Sequence, residues 1–396
     1  MNMVQLLKEV DEERLYRHIL ELEGPNDPIY SPEKLDSAAD YISSELERYG
    51  LQVSEQKVEV DSTHCRNIEG VLATGENPEL LLTAHYDTVP QSPGADDNLS
   101  GVSVMLEAAR VLSKYEEPLN LRVIGFTLEE GSPEGWRKRM VAAQELGLMD
   151  ENYNYRSLNT QRLWKKFSEY VLQGRRTGRA IKVSVDMFMD EFKDQMNESE
   201  LLYFEGLGEF YEEISQGGDS WVGKRSLVGS SHWVEEKSRD IDIAGVINLE
   251  SVGYISQKPH SQFFPAGMSP DMFSTHLVED PDIGNYLVGI GDTHSGLLLD
   301  LFTNCSKMEG VGLPFAGLHV PFGFDAINEK MFDLLRSDHT PFWREGIPAL
   351  MLTDTCDFRY HFYHTRADTI DKLDFEFIAK VCKASIATAI GSSSPN

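Results

Sequence analysis

The sequence contains no run of eighteen apolar residues, so it offers no candidate for a membrane-spanning helix. Its 396 residues include only four cysteines, Cys65, Cys305, Cys356 and Cys382. They are widely scattered and form no CxxC pair. That argues against a cysteine-based zinc site and against a disulfide framework, and four reduced thiols are expected. Positive charge is scarce: 36 Lys and Arg stand against 65 Asp and Glu, a net charge of −29. Such acidity disfavours nucleic acid and anionic membranes as partners. The opening stretch "MNMVQLLKEVDEERLYRHILELEG" lacks the apolar core and small-residue cleavage site of a secretory leader, and reads instead as a charged amphipathic helix. The expected location is cytoplasmic. No internal repeat stands out, and low complexity is confined to the tail "GSSSPN".

What is present suits a globular chain with a sizeable core: 41% of residues are hydrophobic and 26% charged. Residues 1–50 read as two helices. The second starts at Ser31–Pro32, repeats Leu35, Ala39, Ile42 and Leu46 at helical spacing, and stops at Gly50. "LQVSEQKVEVD" then alternates like a half-buried strand. Four short apolar runs follow: "ELLLTAH" (79–85), "LRVIGFTLEE" (121–130), "IAGVINLE" (243–250) and "IPALMLTD" (347–354). Runs of this kind suit strands buried on both faces. Helical patterns lie between and after them, at "GVSVMLEAARVLSKY" and "DKLDFEFIAKVCKASIATAI". The expected fold is therefore α/β: a three-layer sandwich with a mixed, mainly parallel central sheet flanked by helices.

One segment breaks this rhythm. From Pro133 to Leu227 the pattern is helical and amphipathic: "LNTQRLWKKFSEYVL", "VDMFMDEFKDQM" and "LLYFEGLGEFYEEISQ". It is far longer than an ordinary connection between strands. The domain reading is a body made of 1–132 and 228–396 with a helical insertion at 133–227, acting either as a lid or as a contact between copies of the chain. Its Met187, Phe188, Met189, Phe192 and Met196 read as helix core.

Each apolar run ends at or near an acid or a histidine. Ligands of open α/β sheets sit outside the carboxyl ends of the strands, so His85, Glu129, Glu130 and Glu250 are expected at one sheet edge. His85 begins an HxD arrangement in which Asp87 can accept the ring's other N–H or orient the loop. Asp97, in "GADDN" just before a helix, carries two oxygens that could bridge two cations. Adjacent acids at Glu129–Glu130 repel each other unless positive charge lies close by. His364 stands before the final helix, with His361 and His339 as rivals.

"TAHYDTV", "GADDNLSGV", "LEEG", "SDHTPFW", "IPALMLTDT" and "FYHTRADTIDKLD" together resemble, in order, the motifs of the zinc-dependent aminopeptidase family, which is related to glutamate carboxypeptidases, glutaminyl cyclases and the transferrin receptor. The resemblance spans nearly the whole chain outside the insertion. It implies a co-catalytic di-zinc exopeptidase, most simply an aminopeptidase acting on peptides through a water shared by the two metals. His85 and Glu250 would hold one zinc, Glu130 and His364 the other, and Asp97 would bridge them. Glu129 would be the general base, Asp87 would support His85, and Tyr363 would stabilise the tetrahedral intermediate. Asp338 would belong to the site's rim or its supporting shell, and the Asp97–Asn98 peptide is a candidate for the cis form. Two imidazoles and three carboxylates suit zinc, with cobalt or manganese as substitutes. The chain departs from the family pattern in carrying Glu250 where many members have Asp. Two alternatives stand beside this reading: a single-zinc acyltransferase like glutaminyl cyclase, and a non-catalytic binding protein on the same fold. Within the peptidase reading, Arg336, Arg344 and Arg359 lie near enough to the motifs to serve a carboxypeptidase.

Overall fold

A computed structural model describes residues 3–60, 63–73, 78–215, 221–265 and 267–393. Met1 and Asn2 of the opening helix, Asp61 at the end of the first strand pattern, Gln216 of the third insertion helix and residues 394–396 of the polar tail lie outside them.

Among the described residues, nine strands form one sheet in the order β1-β2-β4-β3-β5-β9-β7-β8-β6. They are β1 (Gln52–Val60), β2 (Thr63–Ala73), β3 (Glu79–His85), β4 (Asn120–Phe126), β5 (Ile243–Glu250), β6 (Ser274–His276), β7 (Leu287–Gly291), β8 (Phe315–His319) and β9 (Ala349–Thr353). The centre, β4-β3-β5-β9, is parallel. β1 and β2 pair antiparallel on one side, and β9 pairs antiparallel with β7 on the other. The sheet is thus mixed, as expected.

Alternating residues of the central strands serve opposite layers, which is why their sequences are continuously apolar. Leu80, Leu82 and Ala84 of β3 join one core cluster together with Ile247 and Leu249 of β5. Leu81 and Val246, on the same strands, join the other. The first layer is built by the helices Glu12–Leu22, Pro32–Arg48, Leu99–Leu112, Gly296–Ser306 and Phe375–Ser392. The second contains Val228–Lys237 and Thr340–Arg344, which supply Trp233, Phe342 and Trp343.

The Pro32–Arg48 helix begins where expected, but the Ser31 side chain makes no capping hydrogen bond. Gly50, at φ +86°, ends that segment in the left-handed region that favours glycine. Residues 1–50 hold a third short helix, Met3–Leu7, besides the two expected. All four cysteines are free thiols, and all but Cys356 are buried.

Between β4 and β5 the described chain is helical, with long helices at Leu158–Arg176, Ile181–Phe192 and Glu198–Ser215. They share a third apolar cluster centred on Phe167, Phe188, Phe204 and Leu207. Phe188 and Phe192 are buried there, whereas Met187 is 44% exposed and takes no part in the core. No described helix is long and apolar enough to cross a membrane.

Candidate metal centre

The parallel strands β3, β4 and β5 end side by side, with His85 opposite Phe126 in the register. β4 stops at Phe126 rather than running on to Glu130, and Leu128 turns the chain at φ +56°. The turn is held by amides from the neighbouring segment: Leu227 N donates to Glu129 O at 2.9 Å and Val228 N to Leu128 O at 3.0 Å. The Asp87 carboxylate accepts from the Glu129 and Glu130 amides at 3.1 and 3.2 Å. Asp87 therefore orients the acidic pair. Its own main-chain carbonyl, 3.0 Å from His85 Nδ1, is the nearer partner of the imidazole. A carbonyl only accepts, so the neutral ring carries its proton on Nδ1 and turns the lone pair of Nε2 to the cluster.

Asp97 occupies the centre. Its Oδ1 lies 3.3 Å from His85 Nε2, and its Oδ2 lies 3.0 Å from His364 Nε2. His85 Nε2 is 3.4 Å from Glu250 Oε2, and His364 Nε2 is 3.0 Å from Glu130 Oε2. The Asp97 position is fixed from behind by Asp368, whose carboxylate accepts from the Asp96 and Asp97 amides. The Asp97–Asn98 peptide is cis, as expected. Asn98 ties this loop to the end of β5: its Nδ2 donates to Leu249 O at 2.7 Å and its Oδ1 accepts from Ser251 N at 3.1 Å. Glu250 is held by Ser337 Oγ at 2.6 Å; that hydroxyl accepts from Asn248 Nδ2 at 2.7 Å, and Asn248 Oδ1 accepts from Thr83 Oγ1 at 2.8 Å.

The charges do not balance by themselves. Asp97, Glu129, Glu130, Glu250 and Asp338 crowd around two imidazoles. Burial and the nearby Asp97 raise Glu130 to about 8. Burial likewise raises Asp338 to about 7. Burial opposes charge on His364, yet Glu130 and Asp97 lift it to about 10. His85 Nε2, His364 Nε2, both Asp97 oxygens and Glu130 Oε1 are buried without a hydrogen-bond partner among the described residues. Buried polar atoms are rarely left so. Ligand atoms of His85, Asp97 and Glu250 all lie within 4.8 Å of one another, as do those of Asp97, Glu130 and His364. Hard carboxylates with imidazoles are a donor set for zinc and similar divalent cations. The residues fit a divalent cation, and Asp97 belongs to both of these groups. A third grouping, His85 with Glu129 and Glu130, overlaps both.

The expected residues are thus brought together, and their rivals are not. His361 is exposed, and His339 is buried with its Nε2 against Leu334 O. Tyr363 stacks on His364 with ring centroids 3.8 Å apart, its hydroxyl 3.5 Å from Arg336. Asp338 is fully buried and near enough to His85, Asp87 and Glu250 to feel their charges. Of the three arginines, Arg344 pairs with Glu235 and Arg359 is buried against Gln262. Only Arg336 reaches the site. It lines an apolar pocket that opens beside Glu250 and Tyr363 and is walled by Phe263, Phe264, Met268, Phe273 and Ile290. Sequence reasoning did not single out Ser337, Asn248 or Asp368, and it named Asn98 for its peptide bond alone and not for its side chain. Their polar side chains inside or beside apolar and metal-ligand motifs were the available signal.

Residues 67–198 and 306–389 match the profile of peptidase family M28. A 97-residue stretch is 41% identical to aminopeptidase YwaD of Bacillus subtilis, covering 24% of this chain and 21% of that one. Among solved structures, Legionella pneumophila LapA aminopeptidase superposes over 99% of this chain and 75% of its own at 16% identity, with a TM-score of 0.55. Porphyromonas gingivalis glutaminyl cyclase does so over 97% and 99% at 17% identity, also with a TM-score of 0.55. These two likenesses establish the α/β fold, and the profile match, over more than half of the chain, makes the protein a member of peptidase family M28.

Proposed function

We propose that the protein is a di-zinc exopeptidase that removes N-terminal residues from peptides. The observation that carries this reading is the central carboxylate: Asp97 presents one oxygen to His85 and the other to His364, and neither has a hydrogen-bond partner among the described residues. One zinc would take His85, Asp97 and Glu250, and the other Asp97, Glu130 and His364. When bound, the two ions supply Lewis acidity and make a water between them easier to deprotonate.

The chain's own residues do the rest. Glu129 ligates neither ion in this scheme and is free to take the water's proton and hand it to the departing amine. Without metal, burial and the neighbouring Glu130, Glu250 and Asp338 hold its carboxyl well above the usual range. Asp87 holds the Glu129 amide in place. The Tyr363 hydroxyl, clamped by its ring stack on His364, stands ready to donate to the carbonyl oxygen as it gains charge. The pocket of Phe263, Phe264, Met268 and Phe273 is apolar, so the residue removed is expected to be large and apolar. The helical segment 133–227 is an insertion that packs over the loop following β3, where Val89 joins its core.

The test compares hydrolysis of unblocked and N-acetylated aminoacyl amides. Cleavage of the unblocked leucyl and phenylalanyl amides alone supports the assignment. Equal cleavage of the acetylated forms defeats it. Cyclisation of an N-terminal glutaminyl peptide without hydrolysis points to the acyltransferase.

A further inference from the structure

At the seam between the helical segment and the sheet-bearing body lies a cavity of about 520 Å³, whose lining includes none of the metal-centre residues. That volume falls within the roughly 300–1,000 Å³ of small-molecule sites. Its charge runs against the rest of the chain. The sequence has nearly two acids for every base, yet this cavity is lined by Arg175, Arg179 and Lys182 and by one acid, Glu212. Lys182 is paired, at 3.6 Å from Glu212 and 3.7 Å from Asp186. Arg175 and Arg179 have no carboxylate at ion-pair distance among the described residues. Arg175 lies over two rings, 4.8 Å from the Phe332 centroid and 5.6 Å from that of Trp221.

Two further features add positive character. Arg225 stands near Arg175, itself held on the Tyr211 ring at 4.2 Å. Burial, reinforced by Arg225, lowers Arg175 to about 9. The first turn of the Ile181–Phe192 helix also lines the cavity through Ala180, Ile181 and Lys182. The opening amides of a helix have no intrahelical partners and favour anions.

We propose that this cavity binds a small molecule through its phosphate group. Two guanidinium groups in the lining and a helix N-terminus match a multiply charged, multi-oxygen anion better than a single carboxylate. The site joins two parts of the chain: Arg175 to Lys182 and Trp221 come from the helical segment, Asn328 and Phe332 from the body. Phe332 also borders a groove that continues to Pro265, Met268, Asp333 and Leu334. Those four residues line the apolar pocket beside Glu250. A bound phosphate would therefore fasten the helical segment to the strip of chain that walls the pocket. The proposal does not depend on which amide the metal centre cleaves.

The test is isothermal titration of the zinc-loaded full chain with inorganic phosphate and with adenosine monophosphate, for the wild type, Arg175→Gln, Arg179→Gln and Lys182→Gln. Arg175 packs on two rings, so its variant could fail to fold; Arg179 and Lys182 are solvent-facing enough to carry the result. Saturable binding that weakens tenfold or more in Arg179→Gln, with melting temperature and peptidase rate unchanged in the absence of phosphate, supports the site. Absence of binding overturns it. So does binding that survives all three substitutions but vanishes when zinc is removed, which places phosphate in the acid cluster. An N-acetylated tripeptide with a free carboxylate that binds while phosphate and the nucleotide do not would overturn the choice of phosphate.

Discussion

Replacing Ser337 with alanine should weaken one metal position and spare the other. Ser337 is fully buried, and its hydroxyl donates to Glu250 Oε2 at 2.6 Å while accepting from Asn248 at 2.7 Å. A hydrogen bond to a charged group is worth about 1.5–3 kcal/mol, and the stranded Asn248 amide costs about 1–3 kcal/mol more. Partners that orient a ligand typically govern about 10–100-fold in metal affinity, or about 1.4–2.8 kcal/mol. The hydrogen-bond figure matches that range, which is the expected loss at the position built by His85, Asp97 and Glu250; the stranded Asn248 amide burdens the metal-free and metal-bound forms alike. Among the described residues the Ser337 hydroxyl hydrogen-bonds with Glu250 and Asn248 and not with Glu130 or His364, so their position should keep its affinity. Zinc titration against a competing chelator resolves the two affinities. Thr83→Val, one hydrogen bond further back in the same chain, should show a smaller loss at the same position. Equal weakening of both positions, or no weakening, would refute the assignment of Glu250 as a ligand steered by Ser337.

Glu129→Gln should lower kcat by about 10²–10⁴ with zinc content unchanged; loss of zinc would instead make Glu129 a ligand. Phe188→Ala removes a fully buried ring 5.3 Å from Phe167 and 5.2 Å from Phe204, at a cost of about 3–5 kcal/mol. If residues 133–227 are a unit of their own, hydrogen exchange should quicken there and remain slow in the central strands; equal quickening in both refutes the division. His18 supplies a pH test away from the metals. It is buried between the Tyr41 and Tyr49 hydroxyls, with Arg14, Arg48 and Arg110 nearby and Glu45 behind Tyr49. Burial, helped by those arginines, lowers it to about 4, against about 6.5 when unfolded. Between those values the unfolded chain binds the extra proton, so this stabilisation is complete above about pH 6.5 and is lost as pH falls towards 4. Urea unfolding at pH 7.5 and 4.5 should show a drop about 2–3 kcal/mol larger in wild type than in His18→Gln; equal drops would show that His18 is not the cause.

The parts of this molecule that were legible in the sequence are those with one dominant physical signal. β3 and β5 were bounded to the residue, because a strand covered on both faces must be apolar throughout and its end is marked by the first ligand. Part of the candidate cluster was legible for the same reason, because ionisable residues at the ends of buried strands need a cause; the choice of His364 over His361 and His339 came from the family resemblance. β6, β7 and β8 escaped, being three to five residues long and set among turns. β4 was read too long because "TLEE" continues its pattern, while the actual turn is made by Leu128 in a backbone region that leaves no mark in composition. The shell around the cluster was illegible because Ser337, Asn248 and the Asn98 side chain act through two hydrogen bonds each, to partners 87 to 165 residues away in sequence. Met187 failed the helix-core reading because periodicity places a residue on a face but does not say which partner covers that face. The sense of Asp87 was half legible. Its proximity to His85 was fixed by sequence, whereas its grip on the Glu129 and Glu130 amides depends on the pairing of β3 with β4.

The central claim is that one carboxylate, Asp97, organises two zinc ions. It is tested most directly by zinc content after exhaustive dialysis from a zinc-saturated state, for the wild type and Asp97→Ala. The account predicts two zinc ions per chain in the wild type and loss of both from the variant, since each imidazole would be left with a single carboxylate. One zinc per chain in the wild type, or two retained without Asp97, would contradict it.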